Sequence, residues 1–421
     1  MKTAAIIAEY NPFHNGHAYH IQRTRQLSGA DYVLVLMSPD YVQRGEPAVT
    51  DKYTRTQMAL EGGADVVLEL PVRYACGSAQ FFAEGAVRIL HGLSCMDLLS
   101  FGCETDDLHK LGLAASILDH EPEAFTRTLR DALAAGSSYP AALEKALGHS
   151  LPKEEAVDAA SLLCPNNILA IEYIRAAMRF APELSLLPVR REGMPYLDQT
   201  LSEDEVFVSA MAIREHLRRH VKDGADDAVS SLASWIPGRA LKVLQESLRE
   251  NGLPDQGQFS AMMHHALLAA DQDNVLHTYP DVSDELANRI RHSLGMYTQL
   301  DTYVDLLHTK NLTRARVKRA LLHILLDITA DGPGAEGISA PRWVRLLGMR
   351  RSAAPLMHRI QKEAGLCVIT KTADAKKLLD QRDADSFYHD MRCSALYQSI
   401  LRGGTLQSRR SEYTRSPVVI S

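Results

Sequence analysis

Four short, almost purely apolar runs separated by helical stretches occupy the first hundred residues, and this alternation constrains the fold more than anything else in the chain. The runs are residues 3–9 (TAAIIAE), 31–37 (DYVLVLM), 64–70 (ADVVLEL) and 96–101 (MDLLSF). Apolar runs of this length between helices are the pattern of parallel strands covered on both faces. Helices are expected from about His17 to Leu27 with Gly29 as the stop, from about Asp51 to Leu60 ahead of Gly62-Gly63, and over about Ser78 to Leu90. The order βαβαβαβ with right-handed crossovers predicts an α/β, Rossmann-like, doubly wound parallel sheet. Ligands of such sheets sit beyond the carboxyl ends of the strands. The loops after Glu9, Met37, Leu70 and Phe101 are therefore the expected places for chemistry.

The rest of the chain reads differently. Residues from about Thr105 to Met178 are mainly helical, a last strand is expected at 184–189 (LSLLPV), and a helix opens near Ser209. Beyond about Asp223 the pattern is almost only helical. Its clearest member runs from about Leu312 to Ile328, where Val317, Leu321, Ile324, Leu325 and Ile328 form one apolar stripe. Asp331-Gly-Pro-Gly reads as a loop. With 421 residues the chain exceeds one ordinary core. The expected division is an α/β domain over 1–222 and a mainly α-helical domain over 223–421.

No apolar run is long enough to cross a bilayer. The opening segment Met1–His14 has one lysine and an apolar run broken at Glu9, without a small-residue cleavage site, so it reads as a strand and not a signal peptide. Cys76, Cys95, Cys103, Cys164, Cys367 and Cys393 are scattered with no C-x-x-C pair, which fits free thiols in a reducing compartment and supports no zinc site. A cytoplasmic protein with no membrane association is the expectation.

The net charge of −6 hides an uneven distribution. From Lys310 onward there are 20 Lys+Arg against 10 Asp+Glu, which leaves 26 of the 46 basic and 42 of the 52 acidic residues in front of it. An acidic front and a basic back fit either a back half that meets a polyanion or basic helices docked on the acidic part. The basic residues gather in two groups. One holds Lys310, Arg314, Arg316, Lys318 and Arg319; the other holds Arg342, Arg345, Arg350, Arg351, Arg359 and Lys362, with Trp343 among them. Phosphate tracking with an aromatic for base stacking uses this mixture, and a solvated helix face also produces it.

The sharpest local signal is Asn11-Pro12-Phe13-His14-Asn15-Gly16-His17, directly after the first strand and at the start of the first helix. A helix start presents unpaired N–H groups and attracts phosphate. Gly16 removes a side chain where a nucleotide approaches the backbone. Two imidazoles three positions apart can both face phosphates and donate hydrogen bonds as charge builds on an α-phosphorus and on departing pyrophosphate. The same pair is also open to a metal-binding or a structural reading, although no third metal ligand stands nearby. There is no G-x-x-x-x-G-K-[ST], no H-E-x-x-H and no G-x-G-x-x-G, which removes the common competitors.

His-x-Gly-His at this place resembles the nucleotidyltransferase superfamily related to class I aminoacyl-tRNA synthetases. The wider strings AEYNPFHNGH (8–17), DYVQRGEPAVTDKYTR (40–55), GADVVLELPVRYACGSAQFFAEGAV (63–87), LLSFGCE (98–104) and PNNILAIEYI (165–174) are similar to the bacterial tRNA(Met) cytidine acetate ligases. LLHILLDIT (321–329) and SPVVIS (416–421) carry the likeness into the back half. The resemblance implies a nucleotidyltransferase domain that activates acetate with ATP, with Mg²⁺ on the phosphates. It implies transfer of the acetyl group to N4 of the wobble cytidine of elongator tRNA(Met). His14 and His17 would be catalytic. ATP would be wrapped by Ile7, Ala8, Glu9, Tyr10, Asn11, Pro12, Phe13, His14, Asn15, Gly16, His17, Ala18, Tyr19 and His20, completed by Gly102, Asn166, Arg191, Ser209 and Arg214. The basic back half would hold the tRNA through Arg314, Lys318, Arg319, Arg350 and Arg351.

Four positions depart from the family's pattern: Met211 for a threonine in Ser-Ala-Thr, Pro39 and Leu197 for a glycine and a histidine, and Cys103 for a serine. By itself SAMAIR (209–214) is an ordinary helix start capped by Ser209. Gln43-Arg44-Gly45-Glu46 and Asp51-Lys52 form a charged loop at the ligand side, open to ATP, to tRNA or to solvent. Glu69 either faces the site or pairs with an arginine. Two other functions share these features: a small-molecule adenylyltransferase, and a non-catalytic nucleotide-binding RNA partner.

Overall fold

A computed structural model describes residues 1–152, 159–192, 201, 206–221, 224–330, 341–401 and 411–421. Its strands are β1 (Thr3–Ala8), β2 (Tyr32–Met37), a short hairpin of β3 (Tyr41–Val42) and β4 (Glu46–Pro47), β5 (Val66–Glu69), β6 (Leu98–Cys103), β7 (Ser185–Arg190), β8 (Trp343–Arg350), β9 (Cys367–Ile369) and β10 (Val418–Ile420). The main sheet has the order β10-β8-β5-β2-β1-β6-β7, with β9 paired to β8. The five strands β5-β2-β1-β6-β7 are mutually parallel. After β1 the chain builds outward on one side through β2 and β5, then crosses to β6 and β7 on the other. The strand order therefore reverses between β1 and β6, where an open α/β sheet offers its ligand crevice.

Local signals account for most of these elements. The helix Asn15–Ser28 ends at Gly29 in the left-handed conformation, φ 65°. The helices Lys52–Glu61, Ala79–Gly92, Ala210–His220 and Arg314–Leu326 open on Asp51, Ser78, Ser209 and Thr313, each accepting a backbone N–H. The sheet is sandwiched. One face packs on Ala79–Gly92 and Pro165–Phe180, with Leu34, Leu36, Leu68 and Leu99 in that core. The other packs on Asn15–Ser28 and Lys52–Glu61, with Val33, Val35 and Val67 inside.

The expectation of almost only helices beyond Asp223 is corrected. β8, β9 and β10 come from that part and extend the sheet on its β5 edge. β8 runs antiparallel to β5, pairing Glu69 with Arg345 and Val66 with Met349. β9 and β10 follow one another along its outer edge. The run Trp343–Leu347 is buried on both faces, which is why it lacks the alternation that marks a strand. The loop Asp331-Gly-Pro-Gly lies outside the described residues.

The junction is held by buried charge. Lys52 Nζ donates to Glu69 Oε1 at 2.7 Å and to Ser394 Oγ at 2.7 Å, and lies 3.3 Å from Glu412 Oε2 and 3.6 Å from Asp40 Oδ2. Arg345 donates from Nε to Glu69 Oε2 at 2.5 Å and from Nη1 to Glu412 Oε2 at 2.7 Å. All five charged groups are buried. Burial works against the Glu412 charge, yet Lys52 and Arg345 hold its pKa down to about 2. Glu69 thus pairs with a lysine and an arginine instead of facing a ligand.

Removing one member of a buried network leaves its partners uncompensated, which costs about 3–5 kcal/mol. Arg345→Met is expected to lower the unfolding free energy by that amount in urea titration, whereas Arg351→Ala, on the exposed turn after β8, changes it by no more than about 0.5 kcal/mol. Equal midpoints for the two variants would contradict the assignment.

Candidate nucleotide site

The first helix begins with a capping box made of imidazoles. His14 is the N-cap residue. Its Nδ1 accepts the N–H of Gly16 at 3.0 Å, and its own N–H donates to His17 Nδ1 at 3.3 Å. The two rings stack with centroids 3.8 Å apart. A Cβ on Gly16 would lie 2.9 Å from His14 Cε1, so glycine is needed there for the His14 ring to fold back over the helix start.

These bonds assign the tautomers. Each Nδ1 accepts, so each ring carries its proton on Nε2 and presents an N–H donor to its surroundings. Burial lowers the pKa of His14 to about 3, helped by the charges of Arg191 and Arg214. Burial, then His14 and Arg191, push His17 well down. Burial and Arg191 bring His20 to about 4, and its Nε2 lies 3.0 Å from Ser100 Oγ. At neutral pH the site therefore offers neutral imidazoles beside fixed arginine charge.

Two adjoining pockets open at the carboxyl ends of β1, β6 and β7. The first is lined by His14, Gly16, His17, Tyr19, His20, Gly102, Val189, Arg190, Arg191, Glu192, Phe207 and Val208. The second takes in Ile7, Ala8, Glu9, Tyr10 and Asn11 from the end of β1, Gln43 and Arg44 from the hairpin, and Phe82, Phe101, Asn166, Leu169, Tyr173, Met211 and Arg214. His17, His20, Gly102 and Arg191 line both, forming a shared wall.

Most of the expected nucleotide residues thus meet here. Pro12, Phe13, Asn15, Ala18 and Ser209 line neither pocket. Phe13 is buried under Gly62, where a Cβ would sit 2.2 Å from its ring. Asn15 donates to Ser234 O at 2.8 Å. Ser209 is buried and caps its helix by accepting from Ala212 N. Arg214 donates to Asn11 O at 2.6 Å, tying that helix to the loop after β1. Asn166 Nδ2 donates to Glu104 Oε1 at 2.6 Å and Asn167 N to Glu104 Oε2 at 3.0 Å, which joins the loop after β6 to the start of Pro165–Phe180.

Sequence reasoning left the charged hairpin open and did not single out Phe82, Phe101, Leu169, Tyr173 or Phe207 as pocket residues. A signal existed for two of them: Leu169 and Tyr173 stand three and seven positions after Asn166, on one face of the same helix. Of the departures, Met211 places a thioether in the second pocket's wall. Cys103 is buried, its thiol donating to Val189 O, and Pro39 offers its carbonyl to Arg55. Leu197 lies outside the described residues.

The second basic group lies away from the pockets. β8 runs antiparallel to β5, so Arg350 and Arg351 stand at the end of the sheet opposite the pockets. Arg350 caps the helix Lys52–Glu61 through Leu60 O at 2.5 Å and Ala64 O at 3.1 Å. Arg345 lies in the buried network, and Trp343 is 3% exposed against Phe387, unable to stack on a base. The first group lies beside the site. Gly45, at φ 76°, brings the hairpin onto the backbone of Lys318 and Arg319, where a Cβ would be 2.4 Å from the Lys318 carbonyl carbon. These cations are partly balanced: Arg314 pairs with Asp305, Lys318 with Asp301 at 2.9 Å, and Arg319 with Asp281 at 3.2 Å. Among the described residues no helix is long and apolar enough to cross a membrane.

A model of the HIGH nucleotidyl transferase family matches residues 1–412. The tRNA(Met) cytidine acetate ligase of Thermoanaerobacter sp. (strain X514) is 34% identical over 407 residues, covering 96% of this chain and 98% of that one. The protein of the same name from Acetivibrio thermocellus is 31% identical with full coverage of both. The crystal structure of Thermotoga maritima TmcAL bound with alpha-thio ATP is similar with a TM-score of 0.88 and 25% identity, covering 100% of both chains.

Imidazoles with lowered pKa values make the fold sensitive to acid. Their folded pKa values lie below the unfolded value near 6.5, so the unfolded chain binds more protons as pH falls below it. Stability is full above about pH 6.5 and declines toward pH 4, by up to about 1.4 kcal/mol per pH unit for each group. Urea midpoints measured from pH 7.5 to 5 are expected to fall, and His20→Gln to flatten the slope. A slope identical in His20→Gln would exclude a contribution from that ring.

Proposed function

We propose, on the premise that this chain belongs to the HIGH nucleotidyl transferase family, that it is an ATP-dependent acetate ligase that acetylates N4 of the wobble cytidine of elongator tRNA(Met) through an acetyl-adenylate. The observation that carries this reading is the pair of Nε2–H donors on His14 and His17, fixed at a helix start on the wall of the first pocket. The names of the full-length relatives supply the substrate class, and the ATP analogue bound by the Thermotoga maritima protein supports a nucleotide site.

ATP lies with its triphosphate over the start of Asn15–Ser28. An acetate oxygen attacks the α-phosphorus in line, and pyrophosphate leaves. The two imidazoles donate to the oxygens that gain charge, and Arg191 adds a fixed positive charge. Because their Nδ1 atoms are already held by the backbone, these donors need no reorganisation as the reaction proceeds. Acetyl-adenylate is a mixed anhydride with AMP as a good leaving group. Such activation is required because the cytidine N4 lone pair is delocalised into its ring. Extruding a loop base costs only a few kcal/mol, since it is unpaired. Two pockets sharing a wall suit this sequence: the nucleotide lies along the shared wall of His17, His20, Gly102 and Arg191, and the accepting base reaches the acetyl group from the second pocket.

Magnesium would arrive on the triphosphate. The N–H donors of His14 and His17 and the charge of Arg191 would act on the same phosphate oxygens. The tRNA reaches the second pocket along the segment of Arg314, Lys318 and Arg319, which abuts the hairpin carrying Gln43 and Arg44. Arg350 and Arg351 take no part in this reading, being at the far end of the sheet.

Radiolabelled acetate, ATP and tRNA test the proposal in one tube. Label is expected in tRNA, and mass analysis of its nucleosides is expected to find acetylated cytidine. AMP joined to an added phosphate ester would instead favour a small-molecule adenylyltransferase, and no turnover would favour a non-catalytic partner. His17→Ala is expected to slow pyrophosphate release by roughly 10²–10³ while tRNA affinity survives; a wild-type rate would remove His17 from catalysis. Replacing Arg314, Arg316 and Lys318 together by Gln is expected to weaken tRNA binding and reduce its salt slope by about 2–3. An unchanged affinity across a salt series would relocate the tRNA surface.

A further inference from the structure

The second half-reaction releases a proton from the cytidine amine, and the second pocket holds one group built to take it. Glu9 stands directly after β1 and is half-buried in that pocket's wall. Its Oε1 accepts the N–H of Gln43 at 2.8 Å, which fixes the carboxylate plane. Its other oxygen has no hydrogen-bond partner among the described residues. Glu9 is also the only carboxylate among the described residues lining this pocket. The imidazoles there are poor competitors. His17 has its Nδ1 occupied by the His14 N–H and offers only a donor, and His20 engages Ser100.

We propose that Glu9 is the general base of acetyl transfer, accepting the N4 proton of the cytidine as that nitrogen attacks the acetyl carbon. The inference rests on the ligase reading above. In the step, the N4–C bond forms and the bond from the acetyl carbon to the AMP phosphate oxygen breaks, its electron pair leaving with AMP. The N4 proton passes to the free oxygen of Glu9 and from there to water. Every group facing the carboxylate bears on its basicity. Burial raises its pKa above the ordinary glutamate value, while the Gln43 N–H and the charges of Arg214, Arg44 and Arg55 oppose this. The Cys76 thiol and the Tyr173 phenol lie close enough to feel its charge. The result is a carboxylate more basic than a solvated one, in a pocket whose walls of Phe82, Phe101, Leu169 and Tyr173 are aromatic and aliphatic.

A purely structural Glu9 would only pin the Gln43-Arg44 turn. Glu9→Gln separates the two roles, because the amide oxygen still accepts from Gln43 but cannot take a proton. Single-turnover assays would follow pyrophosphate release and acetyl transfer to tRNA separately. Transfer is expected to fall by roughly 10²–10⁴; because Glu9 also belongs to the stretch that wraps ATP, pyrophosphate release is expected to slow as well, by a factor at least about tenfold smaller. The wild-type transfer rate is expected to decline at acid pH along a limb that Glu9→Gln lacks, and Glu9→Asp to recover part of the rate. Glu9→Gln transferring within about threefold of wild type, or losing both steps equally, would overturn the inference alone. A wild-type protein that acetylates no tRNA would overturn the ligase reading, and this inference with it.

Discussion

The buried exchange of charge among Lys52, Glu69, Arg345 and Glu412 is the interaction on which the arrangement rests. It joins the start of one helix, the end of β5, the middle of β8 and a segment more than 300 residues from Lys52. Burying four such groups is expensive unless every charge finds a partner, so the network favours the register that sets Arg345 of β8 against Glu69 of β5. It also sits at the ligand end of the sheet. Asp40, 3.6 Å from Lys52, accepts that residue's N–H at 2.9 Å, and from Asp40 the chain leads into the hairpin whose Gln43 and Arg44 reach the second pocket. Arg55, buried nearby, donates to the carbonyls of Glu9, Ser38 and Thr50. The loops that shape the site are thus held by buried cations, not by regular pairing.

Within that frame the first helix start does two jobs with one pair of side chains. N-cap positions usually hold Ser, Thr, Asp or Asn, whose oxygen satisfies a backbone N–H. Here imidazole nitrogens do it, and the bond that caps the helix also determines which nitrogen keeps the proton. Structure and chemistry are coupled through the tautomer: the cap consumes Nδ1 and leaves an Nε2–H as a fixed donor. Burial keeps the rings neutral, so the positive charge of the site resides on Arg191 and Arg214.

Charge counted along the sequence is a poor guide to charge in space. The cationic surplus after Lys310 reads as one polyanion-binding half. The fold divides it. Arg345 is consumed by carboxylates in the interior, Arg350 by helix carbonyls, and Arg359 by the Met1 carbonyl. What lies near the pockets is the segment around Arg314–Arg319, itself partly neutralised by Asp281, Asp301 and Asp305. Guanidinium groups serve interior carbonyls as readily as phosphates, and composition does not distinguish the two.

The sequence by itself determined the parallel strands of the front half, their helices opening near Asp51, Ser78 and Ser209, and the His-x-Gly-His turn at the end of the first strand. These rest on local physics: apolar runs that must be buried, side chains that satisfy the nearest backbone N–H, and a glycine where a ring folds back. Only the tertiary structure decided that β8, β9 and β10 complete the sheet, that Trp343 faces inward, and that Glu9, Leu169 and Tyr173 share a pocket with Arg44. A strand's partner, and the side of a helix that meets a cavity, depend on residues hundreds of positions away. Segments that pair only with such distant neighbours carry no sign of it in their own spacing.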